Sequence, residues 1–155
     1  MTVVEHTHDS GPQNPRPAFA HPRLILYVLL GGAIGTGGRE AIALALPAHG
    51  GVPWAVLIAN LSGALLLGFV LTALAARTPE TPARRDLRLF VGTGMMGGFT
   101  TYSSLATDTA VLLETDAAVG IAYALASVVA GIAAAAAGIA IARAVFGAPR
   151  PGATS

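Results

Sequence analysis

Four long apolar runs dominate this chain and limit the folds that it can adopt. They cover residues 24–46, 52–76, 87–113 and 117–146. About 20 apolar residues in a helix cross the roughly 30 Å of hydrocarbon in a bilayer, and a chain in lipid must satisfy its backbone polar groups internally. The runs therefore predict an all-α membrane protein with four transmembrane helices.

Composition and the flanking segments support a single membrane domain. Of the 155 residues, 54% are hydrophobic and 11% are charged, values far from those of soluble proteins. Residues 1–23 are polar and proline-rich, without the apolar stretch of a signal peptide, so a disordered cytoplasmic N-terminal tail is expected there. The four-span domain is expected over residues 24–146, with a C-terminal tail over 147–155. A net charge of +1 gives no reason to expect a nucleic-acid partner.

The placement of the arginines predicts how the helices are oriented. All nine basic residues are arginine, and all but Arg39 flank the runs on one side of a four-span topology. The loops of the other side carry none. Because the cytoplasmic loops of membrane proteins carry the excess of basic residues, both termini and the loop at 77–88 are predicted to be cytoplasmic. The expected location is the inner (plasma) membrane.

A few strongly polar residues fall inside the apolar runs, where an ionisable group costs at least a few kcal/mol. Arg39 and Glu40 lie in the first run, Asn60 in the second and Asp108 in the third. The first two either mark the outer end of a short helix or place Arg39 in a polar vestibule. Asn60 taken alone is best explained by an interhelical hydrogen bond. Asp108 most simply marks the approach to the outer membrane surface.

The third run contains a stretch that does not suit a lipid-facing helix, GGFTTYSSLATD at 97–108. Each glycine costs about 1 kcal/mol relative to alanine in a helix, so the glycines between 92 and 98 predict a break near the middle of the third helix. A break at membrane depth frees backbone groups, which is tolerated where protein, water or an ion satisfies them. The stretch is therefore a candidate ion site. Its serines are poor hydrolase nucleophiles, because every histidine lies outside the membrane core.

The motifs in these runs resemble those of the small four-span fluoride channels called Fluc or CrcB. The resemblance covers about residues 30–138 and rests on GGAIGTGGR, PWAVLIANLSGALLLG, GTGMMGGFTTYSSL and the Tyr123–Ser127 spacing in the fourth run. It implies a passive, fluoride-selective channel, and not an enzyme. It also implies an antiparallel dimer with pores between the subunits and one central sodium ion at the break in the third helix.

The resemblance implies roles for individual residues. Gly97 and Thr100 would give backbone carbonyls to the sodium ion, which the partner subunit shares. Asn60 would donate its amide to fluoride, and Arg39 would belong to the vestibule. The other members of the fluoride path would be Thr101, Tyr102, Ser104, Leu105, Tyr123 and Ser127. Fluoride is small and tightly hydrated, so it needs successive N–H, O–H and ring-edge contacts in place of water.

Some positions depart from the family pattern. The family usually has phenylalanine at the positions that match Tyr102 and Leu105. Tyrosine keeps an aromatic edge, whereas leucine has no quadrupole, so Leu105 removes the ring edge from half of the aromatic site. A family serine one turn beyond Ser127 is Gly131 here, which thins the polar path further.

The arginine pattern also bears on the kind of dimer. An antiparallel homodimer needs one sequence inserted in both orientations, and that requires a weak arginine bias. The strong bias here favours a heterodimer with an oppositely oriented relative, in which one pore has decayed. The alternative is a homodimer whose loops are too short to enforce the bias.

Two other classes of function fit parts of the pattern. A small proton-coupled multidrug exporter also has four spans, and Glu40 or Asp108 would be its proton carrier. A non-conducting assembly subunit would use Asn60 and the glycines for packing alone. Proton dependence of transport distinguishes the exporter from a channel. Liposomes that release no fluoride would indicate the assembly subunit.

Overall fold

The computed structural model describes residues 21–46, 51–77 and 79–147. These residues are almost entirely helical. The elements follow in the order α1 (Pro22–Ala45), α2 (Trp54–Ala75), α3 (Pro82–Leu87), a π-helix (Arg88–Met95), α4 (Met96–Phe99), α5 (Tyr102–Thr115) and α6 (Ala117–Phe146). The N-terminal tail predicted at 1–23 and the C-terminal tail predicted at 147–155 lie outside the described residues, except for 21–23 and 147.

Two helices of the described part are long and apolar enough to cross a membrane, Trp54–Ala75 and Ala117–Phe146. Their apolar side chains face largely outward, since Leu125 is 63% exposed, Val129 66% and Ile132 67%. A soluble monomer rarely exposes so continuous an apolar surface, whereas hydrocarbon matches it. The chain is therefore a membrane protein, as its composition predicts.

The other two apolar runs differ from plain hydrophobic helices. Helix α1 has 24 residues but includes the charged pair Arg39 and Glu40 near its end. The third run is divided into several helical pieces. The longest of them, α5, has 14 residues and is too short to cross a bilayer alone.

The third run breaks at Thr100 and Thr101, near the middle of the predicted span. Both residues are extended, with φ −83° and ψ 151° at Thr100 and φ −145° and ψ 116° at Thr101. The predicted break is thus confirmed, but the glycines expected to cause it lie in the helical segment before it. The break falls instead where two threonine hydroxyls bond to the helix ends on either side.

Glycines let the helices pack as two close, parallel pairs. Helix α1 runs beside the π-helix and α4, and α2 runs beside α6. A Cβ on Gly94 would lie 2.7 Å from the carbonyl oxygen of Val28 in α1, and one on Gly138 would lie 2.9 Å from the amide nitrogen of Phe69 in α2. Small residues allow this approach between helices in lipid. Gly94 and Gly98 of the third run therefore serve packing against α1.

The α5–α6 turn offers a first test of the fold. The Asp116 carboxylate accepts hydrogen bonds from the amides of Ala118 at 2.9 Å and Val119 at 3.2 Å, and so caps α6. Asp116→Ala should lower the free energy of unfolding in detergent by about 1 kcal/mol, the usual cost of losing such a cap. Asp116→Asn keeps an acceptor and is the matched control. Equal thermal stability of the Ala and Asn variants would contradict the capping role.

Candidate ion site

The break leaves the backbone carbonyls of residues 97–100 without their usual helical partners. In a continuous helix the Gly97 carbonyl would accept from the Thr101 N–H, and the Thr100 carbonyl from the Ser104 N–H. The Thr101 N–H donates instead to Asn60 Oδ1 at 2.7 Å, and the Ser104 N–H donates to Thr101 Oγ1 at 3.1 Å. Gly97 and Thr100 are the residues whose carbonyls the family resemblance assigns to a sodium ion.

Asn60 fastens α2 to the break through both ends of its amide. Its Oδ1 accepts from the Thr101 N–H, and its Nδ2 donates to the Thr101 carbonyl at 3.0 Å. The sequence suggests an interhelical hydrogen bond for Asn60, and the structure contains two of them, both to Thr101. An amide nitrogen carries two N–H groups, and the bond to Thr101 uses one of them. The second N–H is the donor available to an anion.

A cluster of hydroxyls opens helix α5 directly after the break. Thr101 Oγ1 lies 3.1 Å from Ser103 Oγ and 3.1 Å from Ser104 Oγ, and the Thr101 side chain caps α5. Thr101 is buried and Ser104 half-buried. Thr100 belongs to the other side of the break, where its hydroxyl donates to the Met96 carbonyl at 2.9 Å. The structure thus brings Thr101 and Ser104 together with Asn60.

Two residues predicted at the site lie on its outer face. Tyr102 is 83% exposed, and a Cβ on Gly97 would meet nothing within 4 Å. Leu105 is half-buried, and its carbonyl accepts from the Thr109 hydroxyl at 2.7 Å. The break is therefore open on the side where Tyr102 and Gly97 lie.

The predicted row on α6 is present and faces inward. Tyr123 and Ser127 are 6% and 7% exposed, and the Ser127 hydroxyl donates to the Tyr123 carbonyl at 2.7 Å. Gly131 continues the row with open space at its Cβ position. Within the described residues, the Tyr123 hydroxyl is buried without a hydrogen-bond partner.

The sequence places Asp108 near the outer membrane surface, and it does not indicate the buried surroundings that the structure shows. Its Oδ2 is buried and, among the described residues, has no hydrogen-bond partner. Helix α5, which carries Asp108, packs against α6. The Asp108 carboxylate therefore reaches a buried position within the protein. The available signal was its spacing, one helical turn beyond Ser104 on the same face.

Arg39 lies on α1 just beyond the level of the break. Its neighbour Gly38 approaches the ring of Phe99, the last residue of α4, because a Cβ there would lie 3.5 Å from that ring. Arg39 is half-buried. The ion pairs found in the described part join other residues, Arg23 to Asp86 and Arg88 to Glu80.

Chemically, the site offers oxygen ligands on one side of the break and hydrogen-bond donors on the other. In the described part, no three His, Cys, Asp or Glu side chains come together as a metal site. A cation here would therefore depend on backbone carbonyls, which suit small hard cations such as sodium. An anion would use the Asn60 amide and the hydroxyls.

Comparison with known proteins assigns the sequence of this chain to a family. A family model described as "CrcB-like protein, Camphor Resistance (CrcB)" matches residues 26–139, which include the break, Asn60 and the row on α6. The chain belongs to the CrcB family. The resemblance drawn from the sequence motifs is thereby confirmed.

Relatives with CrcB-like sequences are named as fluoride channels. Fluoride-specific ion channel FluC 2 of Leifsonia xyli subsp. xyli is 42% identical over 118 residues, which are 76% of this chain and 81% of the relative. Fluoride-specific ion channel FluC 1 of Cutibacterium acnes is 44% identical over 128 residues, or 81% of this chain and 90% of the relative. Fluoride-specific ion channel FluC of Chelativorans sp. is 38% identical over 124 residues, 78% and 97% of the two chains.

Proposed function

We propose that this chain is a subunit of a passive, fluoride-selective channel that exports cytoplasmic fluoride and so gives fluoride resistance. The observation that carries the proposal is its similarity, over most of its length, to relatives named fluoride-specific ion channels. Export needs no energy-coupling site, since an anion that leaves a cell with an interior-negative potential of about 100 mV moves down the electrical gradient and releases roughly 2.3 kcal/mol. The channel is not an enzyme.

The fluoride path would begin at Arg39 and continue through the donors at the break. The free N–H of Asn60 and the hydroxyls of Thr101 and Ser104 lie in one cluster, supported by the bonds of Asn60 to Thr101. The aromatic edge of Tyr102 and the side chain of Leu105 would border the path. Tyr123 and Ser127 would continue it along α6.

A structural sodium ion would bind at the centre of the assembly. Its ligands would be the carbonyls of Gly97 and Thr100 from each subunit. This assignment is supported because the N–H groups that would bond to these two carbonyls in a continuous helix donate to other acceptors. Bridging two breaks with one ion would replace the missing hydrogen bonds. The ion therefore has a structural purpose distinct from fluoride transport.

The channel would be an antiparallel dimer in the plasma membrane, with the termini of this chain in the cytoplasm. The exposed Tyr102 and Gly97 support a partner that covers the break. The one-sided arginines favour a heterodimer with an oppositely oriented relative over a homodimer. Labelling of both termini from each side of the membrane tests this choice, because dual insertion of this chain expressed alone would contradict the heterodimer.

Fluoride efflux from liposomes tests the proposed function. Purified protein, alone and with an oppositely oriented relative, is reconstituted with internal potassium fluoride, and efflux is started with valinomycin and followed with a fluoride electrode. We expect fluoride release that is independent of a proton gradient, and none of chloride from matched vesicles. Release that requires a proton gradient would indicate an exporter. Absence of release under both conditions would indicate a non-conducting subunit.

Leu105 tests whether the pore that it borders conducts. Leu105→Phe restores the ring edge that the family usually places there, and an edge attracts an anion. We expect fluoride efflux several-fold faster than wild type in the same liposome assay. Val111→Phe, on the same helix at a position that is 58% exposed, is the matched control and should leave the rate unchanged. An unchanged rate for Leu105→Phe would show that this pore is closed.

A further inference from the structure

One end of the helix bundle is strongly basic. The start of α1, the ends of α2 and α6 and the α3 segment all meet there, as the Arg23–Asp86 ion pair and the Arg77–Phe146 contact show. The described arginines at this end are Arg23, Arg77, Arg84, Arg85, Arg88 and Arg143, whereas the described acidic residues there are Glu80 and Asp86. This end therefore carries a net positive charge at the edge of the apolar surface.

Two cavities at this end differ in their charge. The first, of about 400 Å³, is bordered by Arg23, Tyr27 and Asp86. Arg23 donates to Asp86 at 2.9 Å and to the Tyr27 hydroxyl at 3.0 Å, so the cavity contains one neutral pair. It has no surplus charge for an anion.

The second cavity, of about 420 Å³, has one more arginine than it has carboxylates. Its lining residues are Leu71, Leu74, Ala75, Arg77, Glu80 and Arg88. Arg77 lies over the ring of Phe146, with 5.3 Å from the guanidinium carbon to the ring centroid, and this contact holds it beside the cavity. Arg88 lies 3.3 Å from Glu80, and both side chains are about half exposed. Such an exposed ion pair is weak and can exchange partners.

We propose that this second cavity binds the phosphate headgroup of an anionic phospholipid from the leaflet that the arginine-rich end faces. Arg77 and Arg88 would bind the phosphate oxygens, which guanidinium groups contact through paired N–H donors. Glu80 competes for Arg88 and would be displaced. A basic pocket at the membrane surface between helices is a recognised setting for anionic headgroups.

The apolar wall of the cavity favours a lipid over a free anion. Leu71 and Leu74 lie on α2 directly below the arginines, and Leu71 is 39% exposed. An acyl chain that descends from the headgroup would lie along these leucines. Inorganic phosphate has no group that uses this surface.

Native mass spectrometry of the purified full-length channel, in its assembled form, tests the site. Phosphatidylglycerol and phosphatidylcholine are titrated separately, and bound lipid is counted. An arginine that contacts the headgroup contributes about a five-fold preference for anionic lipid, so Arg77→Gln combined with Arg88→Gln should remove at least most of the preference for phosphatidylglycerol. Glu80→Gln should raise it, because the competing carboxylate is gone.

Arg23→Gln is the matched control, since it removes an arginine from the neutral cavity at the same end. We expect it to keep the wild-type preference. An equal loss in Arg23→Gln, or no loss in the double variant, would overturn the proposal. So would displacement of the lipid by millimolar inorganic phosphate, which would indicate a free-anion site. Melting curves in detergent identify any variant that loses binding because it unfolds.

Discussion

Asn60→Ala is expected to abolish fluoride efflux and to destabilise the helix break. The substitution removes the donor proposed for fluoride and both hydrogen bonds that hold the Thr101 backbone. Losing these two hydrogen bonds should cost about 2–6 kcal/mol, at about 1–3 kcal/mol for each backbone group that they satisfy. Liposome efflux measures the first effect, and thermal unfolding in detergent measures the second.

Ser62→Ala is the control for Asn60→Ala, because among the described residues the Ser62 hydroxyl bonds within its own helix, to the Ile58 carbonyl at 2.6 Å and the Ala59 carbonyl at 3.2 Å. It should change neither measurement. Asn60→Asp separates the two roles of Asn60. It keeps an acceptor for the Thr101 N–H but presents a carboxylate to fluoride, so efflux should fall more than stability does. Wild-type efflux from a folded Asn60→Ala channel would exclude Asn60 from the fluoride path.

Gly35→Ala is expected to be the most damaging single-methyl addition in α1. A Cβ at Gly35 would collide with the Met95 carbonyl and lie 2.8 Å from the Phe99 amide nitrogen. Backbone cannot move aside as a flexible side chain can, so α1 and the π-helix must separate. We expect a loss of about 3 kcal/mol, the upper part of the usual range for overpacking, and a fall in the yield of folded protein on size-exclusion chromatography.

Gly37→Ala controls for the change from glycine to alanine in the same helix. A Cβ at Gly37 would meet nothing within 4 Å, so this variant should be neutral or more stable by up to about 1 kcal/mol from helix propensity. Equal melting temperatures for Gly35→Ala and Gly37→Ala would show that α1 and the π-helix are not in close contact.

The sequence predicted both the membrane class and the helix break, but apolar length was a sound reason for the first and glycine content was not a sound reason for the second. Long apolar runs have few alternatives, because the hydrocarbon core sets both the length of a span and the need for internal hydrogen bonds. The break was predicted from the cost of glycine, yet Gly94 and Gly98 lie in helix, against α1. Local propensity could not separate a glycine that breaks a helix from one that packs it, since that depends on the helix opposite.

The candidate site shows the same division between local and tertiary information. Tyr123 and Ser127 were predicted in one row because helical spacing alone places them there. The two hydrogen bonds between Asn60 and Thr101 join residues that are 41 positions apart. No local sequence pattern indicates which partner a polar residue will bind. Asp108 was read as a surface marker for the same reason, because only the packing of α5 on α6 shows that its carboxylate is buried.

The two parallel helix pairs have a consequence for the order of assembly. Helix α1 packs mainly against the π-helix and α4, while α2 packs mainly against α6. The two pairings are interleaved along the chain. Helix α1 therefore lacks its packing partner until the third run has been synthesised, and α2 lacks its partner until the last helix has been synthesised. Insertion therefore cannot proceed as a series of finished hairpins, and the glycine faces of α1 and α2 stay open to other helices until translation is nearly complete.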